Sequence, residues 1–441
     1  MLKSLTIECE RVPEPSAIDP LEQRTWAATR IFAGGKCVTT LLDRATGKET
    51  NTVYIPLFPL AQWVVTNWWT LLNETCRWER PPVPGKHWSD EQQAWVQRHS
   101  VRAADSGLLL PRLTLYGDGR HICAEWVRDE DDAYPNMPGQ FLYSSRELLD
   151  RPGVESALSE FIAKVLSWSG PGKQDERIEA LRGNWEAISS ADSGEKAFCN
   201  AAGRLGLDPY SSIENELVEF LERAGDNYQR QALFNDVLDA GARASSVKLW
   251  QWACAIDLDR SPQMNMPALP TSDLAAKAGY LVARKWRTAL RGASSHAPIA
   301  DISEVGREMG IPNLTFEERN HLPVGMVRAA VGWRGDRGAV LAGPIPSRAE
   351  SRRFLEARGL FHAAYACSDG ARLVTDVRNW DQQCSRAFAA ELLIPQEVVL
   401  NTIDSELDPD EVDRHVDKLA ADFGVSTHAV HWQFQNGSKA G

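Results

Sequence analysis

Four side chains in the last quarter of the sequence have the chemistry of metal ligands: His362, Cys367, Asp381 and Cys384. Imidazole nitrogens, thiolates and carboxylates are the usual protein ligands of zinc, and a catalytic zinc site normally uses three of them together with a water molecule. His362 with Cys384, completed by Cys367 or Asp381, would be an unusual site of this kind. The favoured interpretation is the simpler one, in which His362 is a packed or hydrogen-bonded side chain on a helix.

Two residues close to His362 have no metal-binding chemistry. Arg358 stays protonated, so its charge repels a cation, and Gly359 has no side chain that could take up a proton. Residues four apart lie one turn apart on the same helix face, so Arg358 and His362 are expected to point the same way. Arg358 either holds an acidic group of a partner or pairs within the chain, with Glu356 or Asp381. Pairing within the chain is favoured.

These residues lie on helices that the apolar spacing predicts over 351–365 and 380–393, the second ended by Pro395. The other elements predicted in this part of the chain are helices over 274–291 and 302–310, a strand over 340–343, and two tail helices ending at 423 and 434.

The rest of the chain predicts two further segments. Residues 1–145 read as a mixed α/β domain, with a strand over 26–32, another over 37–42, a buried helix over 60–72 and a hairpin over 113–126. Residues 146–265 read as a helical region, and 270–441 as a last domain. The expected fold class is α+β.

Three blocks in the last third of the chain match one protein family in order and spacing. They are Phe388-Ala389-Ala390-Glu391-Leu392-Leu393-Ile394-Pro395, Gly279-Tyr280 with Ala283-Arg284, and Leu419-Ala420 with Phe423-Gly424-Val425-Ser426. Over 272–435 the chain resembles the ImmA/IrrE family of bacterial zinc metallopeptidases. The resemblance implies a mainly helical, zincin-like domain over 270–441, with a tail similar to a helix-turn-helix.

In that family one helix carries Arg-Phe-x-x-Ala-His-Glu-Leu-Gly-His, in which the histidines bind zinc and the glutamate is the general base. A later glutamate is the third ligand. The similar stretch here runs from Arg353 to His362. The resemblance implies that Arg358 stands at the first ligand position, Gly359 at the base position, and the third ligand at or beside Cys384. His362 and Cys384 would then be a vestigial metal site without a catalytic residue, and no cofactor is expected apart from a remnant zinc.

Composition narrows the classes of protein. A net charge of −12 weighs against nucleic acid as the main partner, because such binding relies on neutralising phosphates. The eight cysteines are scattered without a CxxC pair, which is typical of buried thiols in a reducing compartment. There is no run of eighteen apolar residues and no secretory signal, so we expect a cytoplasmic protein without membrane spans.

The tail offers an alternative function. A DNA-reading helix there would present Thr427, His428, His431 and Gln435, and the two histidines could also face one metal ion. The favoured interpretation is an ordinary packing element, because acidic residues that oppose phosphate surround it. They are Asp404, Glu406, Asp408, Asp410, Glu411 and Asp413.

The resemblance therefore favours a catalytically inactive regulatory or interaction protein, a pseudoenzyme that binds a protein partner. The setting that it implies is bacterial stress response, a toxin–antitoxin pair, phage defence or a mobile element. Two alternatives stay open at this point. One is a zinc endopeptidase with substituted ligands that cleaves a regulator, and the other is a DNA-binding transcription regulator.

Overall fold

The structure, a computed structural model, divides the chain into two compact units, Met1–Gly225 and Asp226–Gly441. It describes residues 3–14, 17–82, 88–130, 137–168, 175–225, 230–241, 245–262, 266, 268–270, 272, 274–292, 296–319, 322, 324–335, 338–404 and 408–437. Helices and strands occur in both units, which confirms the α+β class. The three-segment division stays a prediction. Among the described residues, no helix has the length and apolar character needed to cross a bilayer.

The first unit combines small antiparallel sheets with helices. Its elements are β1 (Leu5–Arg11), α1 (Pro20–Thr25), β2 (Trp26–Ala33), β3 (Lys36–Cys37), β4 (Leu41–Asp43), β5 (Lys48–Thr50), β6 (Val53–Pro56), α2 (Phe58–Thr66), α3 (Trp68–Asn73), α4 (Asp90–His99), β7 (Arg112–Gly117), β8 (Ile122–Val127), β9 (Gly139–Phe141), β10 (Ser145–Leu149), α5 (Arg151–Trp168), α6 (Glu176–Ser190), α7 (Ser193–Arg204) and α8 (Asn215–Gly225). The described strands pair in the orders β1-β2-β3, with β6 also on β2, then β10-β8-β7 and β5-β4-β9.

The predicted hairpin is confirmed as β7 and β8, and the predicted first strand as β2. The single strand predicted over 37–42 is instead two short strands, β3 and β4, in different sheets. Thr39 gives the reason for the break. Its hydroxyl accepts a hydrogen bond from the Ile31 amide (3.2 Å) and donates one to the Asn51 carbonyl (2.8 Å), which replaces backbone pairing there.

The buried helix predicted over 60–72 is two helices, α2 and α3, and its burial is confirmed. The break falls at Asn67, whose side-chain amide donates to the Trp63 carbonyl at 2.8 Å. A short amide side chain that bonds to the backbone of the preceding turn competes with continued helix formation. The tryptophans of this stretch, Trp63, Trp68 and Trp69, all belong to the core of the first unit.

A charged cluster is buried between α3, α4 and β7. Glu74 accepts from Arg98 Nε (2.8 Å) and Nη2 (2.7 Å), and its Oε2 lies 3.0 Å from His99 Nε2. The other ring nitrogen of His99 lies 2.7 Å from the Leu115 carbonyl oxygen. Burial alone would raise the pKa of Glu74, but His99 and Arg98 outweigh it and lower that pKa to about 2.

The second unit is built around a four-stranded mixed sheet. Its elements are α9 (Gln231–Ala240), α10 (Ser246–Cys254), α11 (Ala275–Arg291), α12 (Ile302–Glu308), β11 (Leu314–Glu318), β12 (Val327–Trp333), β13 (Ala339–Gly343), α13 (Ala349–Tyr365), β14 (Arg372–Thr375), α14 (Trp380–Leu393), α15 (Gln396–Thr402), α16 (Pro409–Phe423) and α17 (Thr427–Gly437). The strand order is β11-β13-β12-β14, with β11 parallel to β13 and the other pairs antiparallel.

The sequence predicted β13 but not the three strands around it. Every residue of β13 is buried, so it appears in the sequence as a continuous apolar run. The neighbouring strands lack this signal, since β12 carries an exposed Arg328 and β14 begins with Arg372. The last segment therefore contains three more strands than expected, and the predicted helices are confirmed as α11, α12, α13, α14, α16 and α17.

Candidate functional site

Helix α13 carries Arg358, Gly359 and His362 and packs across β12, β13 and β14. A Cβ atom at position 359 would lie 2.7 Å from Leu341 Cδ1 and 2.8 Å from its Cδ2. Real Cβ atoms do not approach other atoms so closely, so the glycine is what allows the helix to lie against β13. Position 359, which the resemblance equates with the general base, faces the sheet, and a longer side chain would have to displace Leu341.

Helix α14 carries Gln382, Cys384 and Ser385 and packs against both α11 and α13. A Cβ atom at Gly279 of α11 would collide with the Cys384 carbonyl oxygen and lie 2.8 Å from Ala387 Cβ. Gly279 is one of the residues that carry the resemblance, and here it allows two helices to cross in direct backbone contact. Cys384 is fully buried in the apolar core of this unit.

Arg358 is buried, with 3% of the residue exposed, and its guanidinium group lies between α13, β14 and α14. Nη2 donates to the Thr375 carbonyl and to Gln382 Oε1, both at 2.7 Å, and Nε donates to Ser385 Oγ at 3.2 Å. All three acceptors are neutral. The expected pairing with Glu356 or Asp381 is therefore not the one found, because Arg358 bonds within the chain to carbonyl, amide and hydroxyl oxygens.

The acidic partners expected for Arg358 bind other arginines. Glu356 accepts from Arg352, one turn earlier on the exposed side of α13, at 3.0 Å. Asp381 accepts from Arg372 Nη2 at 3.0 Å. The expectation of an acidic partner was wrong because helix geometry turns Glu356 away from Arg358, and because β14 presents Arg372 to the first turn of α14.

A second guanidinium group shares an acceptor with Arg358. Arg386 Nη1 lies 3.3 Å from the Thr375 carbonyl oxygen, and its Nη2 donates to the Val377 carbonyl at 2.9 Å. Burial and then the charge of Arg378 lower the pKa of Arg386 to about 10. Burial, reinforced by Arg386, also lowers the pKa of Arg358 well below its usual value. Two guanidinium groups, those of Arg358 and Arg386, thus meet at the Thr375 carbonyl oxygen.

His362 is fully buried, and no described residue is placed to hydrogen-bond either ring nitrogen. Its ring packs edge-on against Phe361, with 5.7 Å between the ring centroids. Burial, followed by the charges of Arg372 and Arg358, lowers the pKa of His362 well below its usual value. The nearby Gln382 side chain makes a smaller contribution that raises this pKa. The imidazole is therefore neutral and packed against Phe361.

Gln382 organises the site, although the sequence did not single it out. Its Nε2 donates to the Leu373 carbonyl at 2.6 Å, and its Oε1 accepts from the Thr375 amide at 2.9 Å as well as from Arg358. The main-chain N–H of Gln382 donates to Oδ1 of Asn379, the N-cap residue of α14, at 3.0 Å. A fully buried glutamine must satisfy its amide in this way, but nothing in the sequence marked it as buried.

Helix α9 contributes a second set of polar contacts that the sequence did not reveal. Asp236 accepts from Arg372 Nε (2.7 Å) and Nη2 (3.0 Å), and from the Leu373 amide (2.9 Å). Asn379 Nδ2 donates to Asp239 Oδ2 at 2.8 Å. These bonds hold α9 along β14 and neutralise Arg372. The two acids precede their partners by more than a hundred residues, so no local pattern could pair them.

Cys367 lies in the turn after α13, and among the described residues it belongs to no cluster of side chains that could hold a metal ion. Its thiol donates to the Val331 carbonyl at 3.6 Å, and burial raises its pKa to about 12, so it is a neutral thiol. All eight cysteines of the chain are thiols rather than disulfides.

The residues around His362 do not fit a zinc ion. Arg358 brings a positive charge and only hydrogen-bond donors to the position that the resemblance assigns to the first ligand. Gly359 faces Leu341, and Cys384 belongs to the apolar core. In the described part of the chain, no group of three or more His, Cys, Asp or Glu side chains is placed to hold a metal ion.

The tail helices α16 and α17 meet at Gly424, whose φ of 60° is a left-handed C-cap. Helix α17 is anchored by its buried Gln433, which donates to Glu391 Oε2 (3.2 Å) and the Ile394 carbonyl (2.8 Å). DNA reading by this helix stays a prediction. The four residues named for it have the following positions: Thr427, His428 and Gln435 are exposed, and His431 lies 3.9 Å from the carboxylate of Asp413.

The site is thus a buried polar junction of α13, β14 and α14, in which a guanidinium group occupies the position that the resemblance assigns to the first zinc ligand. Its Nε and Nη2 donate to main-chain, amide and hydroxyl oxygens. Comparison with models of known families, with curated proteins and with solved structures finds no match to this chain.

Proposed function

We propose that the last third of the chain is a zincin-like domain of the ImmA/IrrE type whose catalytic centre has been lost, and that it acts by binding a protein partner. The observation that carries the proposal is Arg358, a buried arginine satisfied by three neutral acceptors. Peptide hydrolysis by such a domain needs a metal that activates water and a base that takes its proton. Arg358 and Gly359 supply neither function.

The packing supports loss of the centre rather than a shifted version of it. Leu341 fills the space next to Gly359, and Gln382 is fully engaged with Arg358 and β14. Restoring a base or a ligand would therefore require several coordinated changes. The setting that we propose is a bacterial regulatory one, in the cytoplasm, such as a stress response, a toxin–antitoxin pair or phage defence.

The charge around Thr375 supports an acidic segment as the partner. Arg358 and Arg386 converge on the Thr375 carbonyl, and Arg328, half exposed, lies nearby in an ion pair with Asp376. These groups attract carboxylates over a distance of about 10 Å at moderate ionic strength. A glutamate-rich peptide should bind in a salt-sensitive manner, and Arg328→Gln should weaken that binding more than Arg352→Gln, which removes a cation from the exposed side of α13.

The test of catalytic loss is a metal and activity measurement on the full chain. We expect less than stoichiometric zinc in the purified protein and no chelator-sensitive cleavage of unfolded protein substrates. His362→Ala removes the one imidazole of the site, and His428→Ala, on the exposed face of α17, is the matched control. Stoichiometric zinc that only His362→Ala removes, together with cleavage that a chelator stops, would overturn the proposal in favour of a zinc endopeptidase with substituted ligands.

A further inference from the structure

The first unit contains a cavity of about 600 Å³ that is open to solvent on one side and lined by α3, α5, α6 and α7. This volume falls within the range of sites for small organic ligands, roughly 300–1,000 Å³. Its wall combines tryptophans with basic and amide side chains, chiefly Trp68, Trp69, Trp185, Arg151, Lys196 and Asn200. The cavity is separate from the junction around Arg358, so the inference below is independent of the proposed function.

The aromatic side of the cavity is rigidly held. Trp68 and Trp185 contact each other edge to face, with 5.1 Å between ring centroids and 70° between the ring planes. On the next helix, a Cβ atom at Gly203 would collide with the Trp69 carbonyl oxygen, so α7 and α3 are in direct backbone contact. Trp185 remains partly exposed to the cavity. A planar ring can stack on such a preorganised indole at little entropic cost.

The polar side is also built in advance. Arg151 donates from Nη2 to Asn73 Oδ1 (2.8 Å) and from Nε to Glu155 Oε1 (2.9 Å). Asn73 Nδ2 donates in turn to Asn200 Oδ1 (2.9 Å) and to the Trp69 carbonyl (2.8 Å). Because Asn73 is buried, this series of hydrogen bonds fixes the orientation of both Arg151 and Asn200 at the cavity wall.

The chain of bonds leaves donors facing the cavity. Among the described residues, none accepts a hydrogen bond from Arg151 Nη1, Asn200 Nδ2 or Lys196 Nζ. The one carboxylate of the wall, Glu155, is already paired with Arg151. The wall therefore offers unused donors and an excess positive charge beside indole surfaces. A ligand that matches it carries acceptor oxygens with negative charge and a flat ring.

We propose that this cavity binds a small organic anion in which a planar aromatic ring is joined to an oxyanion, the chemistry of a nucleoside monophosphate or of an aromatic carboxylic acid. The ring stacks on Trp185 and the oxyanion accepts from Arg151 Nη1 and Lys196 Nζ. Asn200 Nδ2 donates to a further oxygen of the ligand.

The test titrates the full chain with four probes, followed by tryptophan fluorescence and calorimetry. Adenosine monophosphate and indole-3-acetate carry both features, adenosine has the ring alone, and inorganic phosphate has the charge alone. We expect saturable binding of at least one of the first two, at least about tenfold tighter than adenosine or phosphate. Which of the two binds more tightly identifies the source of the oxyanion.

Two variants locate the site. Lys196→Gln should weaken binding about five- to tenfold, the effect of losing one charge-assisted hydrogen bond at an exposed position on the rim of the cavity. Lys164→Gln, the same change on α5 outside the cavity, should leave binding unchanged. Trp185→Leu should remove most of the fluorescence response. No saturable binding of either ring-bearing anion, or equal effects of the two lysine substitutions in variants with unchanged circular dichroism, would overturn the proposal.

Discussion

Arg358 and Gly359 stand at neighbouring positions, and each is explained by a different contact. The guanidinium group of Arg358 is satisfied by Thr375, Gln382 and Ser385, so it holds α13, β14 and α14 together through hydrogen bonds. Removing one side of such a buried network leaves unsatisfied acceptors. Gly359 serves packing instead, because it allows α13 to touch Leu341. Both residues therefore stabilise the packing of α13, and neither can bind a metal ion or take a proton from water.

A substitution that restores the acid of the resemblance is expected to harm the fold. Gly359→Glu should destabilise the second unit by about 3 kcal/mol or more, since the new Cβ atom would lie 2.7 Å from Leu341. Urea unfolding followed by circular dichroism measures the change. The control is Gly183→Ala on α6, where no atom lies within 4 Å of the added Cβ and a gain of about 0.5–1 kcal/mol is expected. A stable Gly359→Glu protein would show that position 359 does not face the sheet.

The buried carboxylate of Glu74 makes the first unit sensitive to acid. Its pKa is about 2 in the folded chain, below the value of about 4.5 for the free side chain. A lowered folded-state pKa means that stability is fully present above pH 4.5 and is lost as the pH falls toward 2. The difference corresponds to about 3 kcal/mol.

Unfolding in urea between pH 7 and pH 2.5 tests this for the wild type and Glu74→Gln. We expect Glu74→Gln to be less stable at pH 7, because Arg98 and His99 lose their anionic partner, and to lose less stability on acidification. Equal pH dependence of the two proteins would show that Glu74 does not control the acid response.

At the scale of elements, close helix approaches and buried ion pairs position the site. Helix α14 crosses α11 at Gly279 and α13 approaches β13 at Gly359, so two glycines set how near these helices come to their neighbours. At the β14 edge of the sheet, an ion pair between Asp236 and Arg372 holds α9 along the strand. The short strands of this sheet show little alternation of buried and exposed side chains, and the helices packed on them hold them in place.

The contact between α9 and β14 depends on one buried carboxylate. Asp236→Asn should destabilise the second unit by about 3 kcal/mol or more, because Arg372 would lose the buried one of the two anionic partners that the described side chains give it and keep the more exposed Asp381. Hydrogen exchange should show loss of protection in α9 and β14. Asp381→Asn is the matched control, and its cost should be about 1 kcal/mol since its side chain is partly solvated. A larger loss for Asp381→Asn would contradict this assignment.

At the scale of the whole molecule, each of the two units contains an apolar core of its own. The core of the first unit runs from Leu5 to Cys199, and that of the second from Ala275 to Val430. Because each unit has an apolar core built from its own residues, unfolding is expected to show two components.

Scanning calorimetry of the full chain tests this expectation with one substitution in each core. Leu115→Ala and Leu360→Ala both truncate buried leucines and should each cost about 2–5 kcal/mol. Each variant should lower the temperature of one component and leave the other in place. If both variants lower one common transition, the chain unfolds as a single cooperative body.

The local sequence pattern was sufficient to predict an element wherever that element has its own apolar periodicity or ends at a proline or a glycine turn. The bounds of α14 follow from apolar spacing and Pro395, and the hairpin of β7 and β8 follows from alternating residues around a glycine turn. The absence of ligand and base chemistry at Arg358 and Gly359 can also be read from the sequence, since a guanidinium group offers only donors and glycine has no side chain.

Only the tertiary structure decided which groups these residues meet. The partners of Arg358 are Thr375, Gln382 and Ser385, not the acids nearby in sequence. The strands β11, β12 and β14 depend on pairing across the sheet, and the carboxylate of Asp236 reaches Arg372 across 136 positions. Sequence spacing reports the geometry of one helix or strand, whereas hydrogen bonds and charges act through space, so contacts between distant segments leave no local signal.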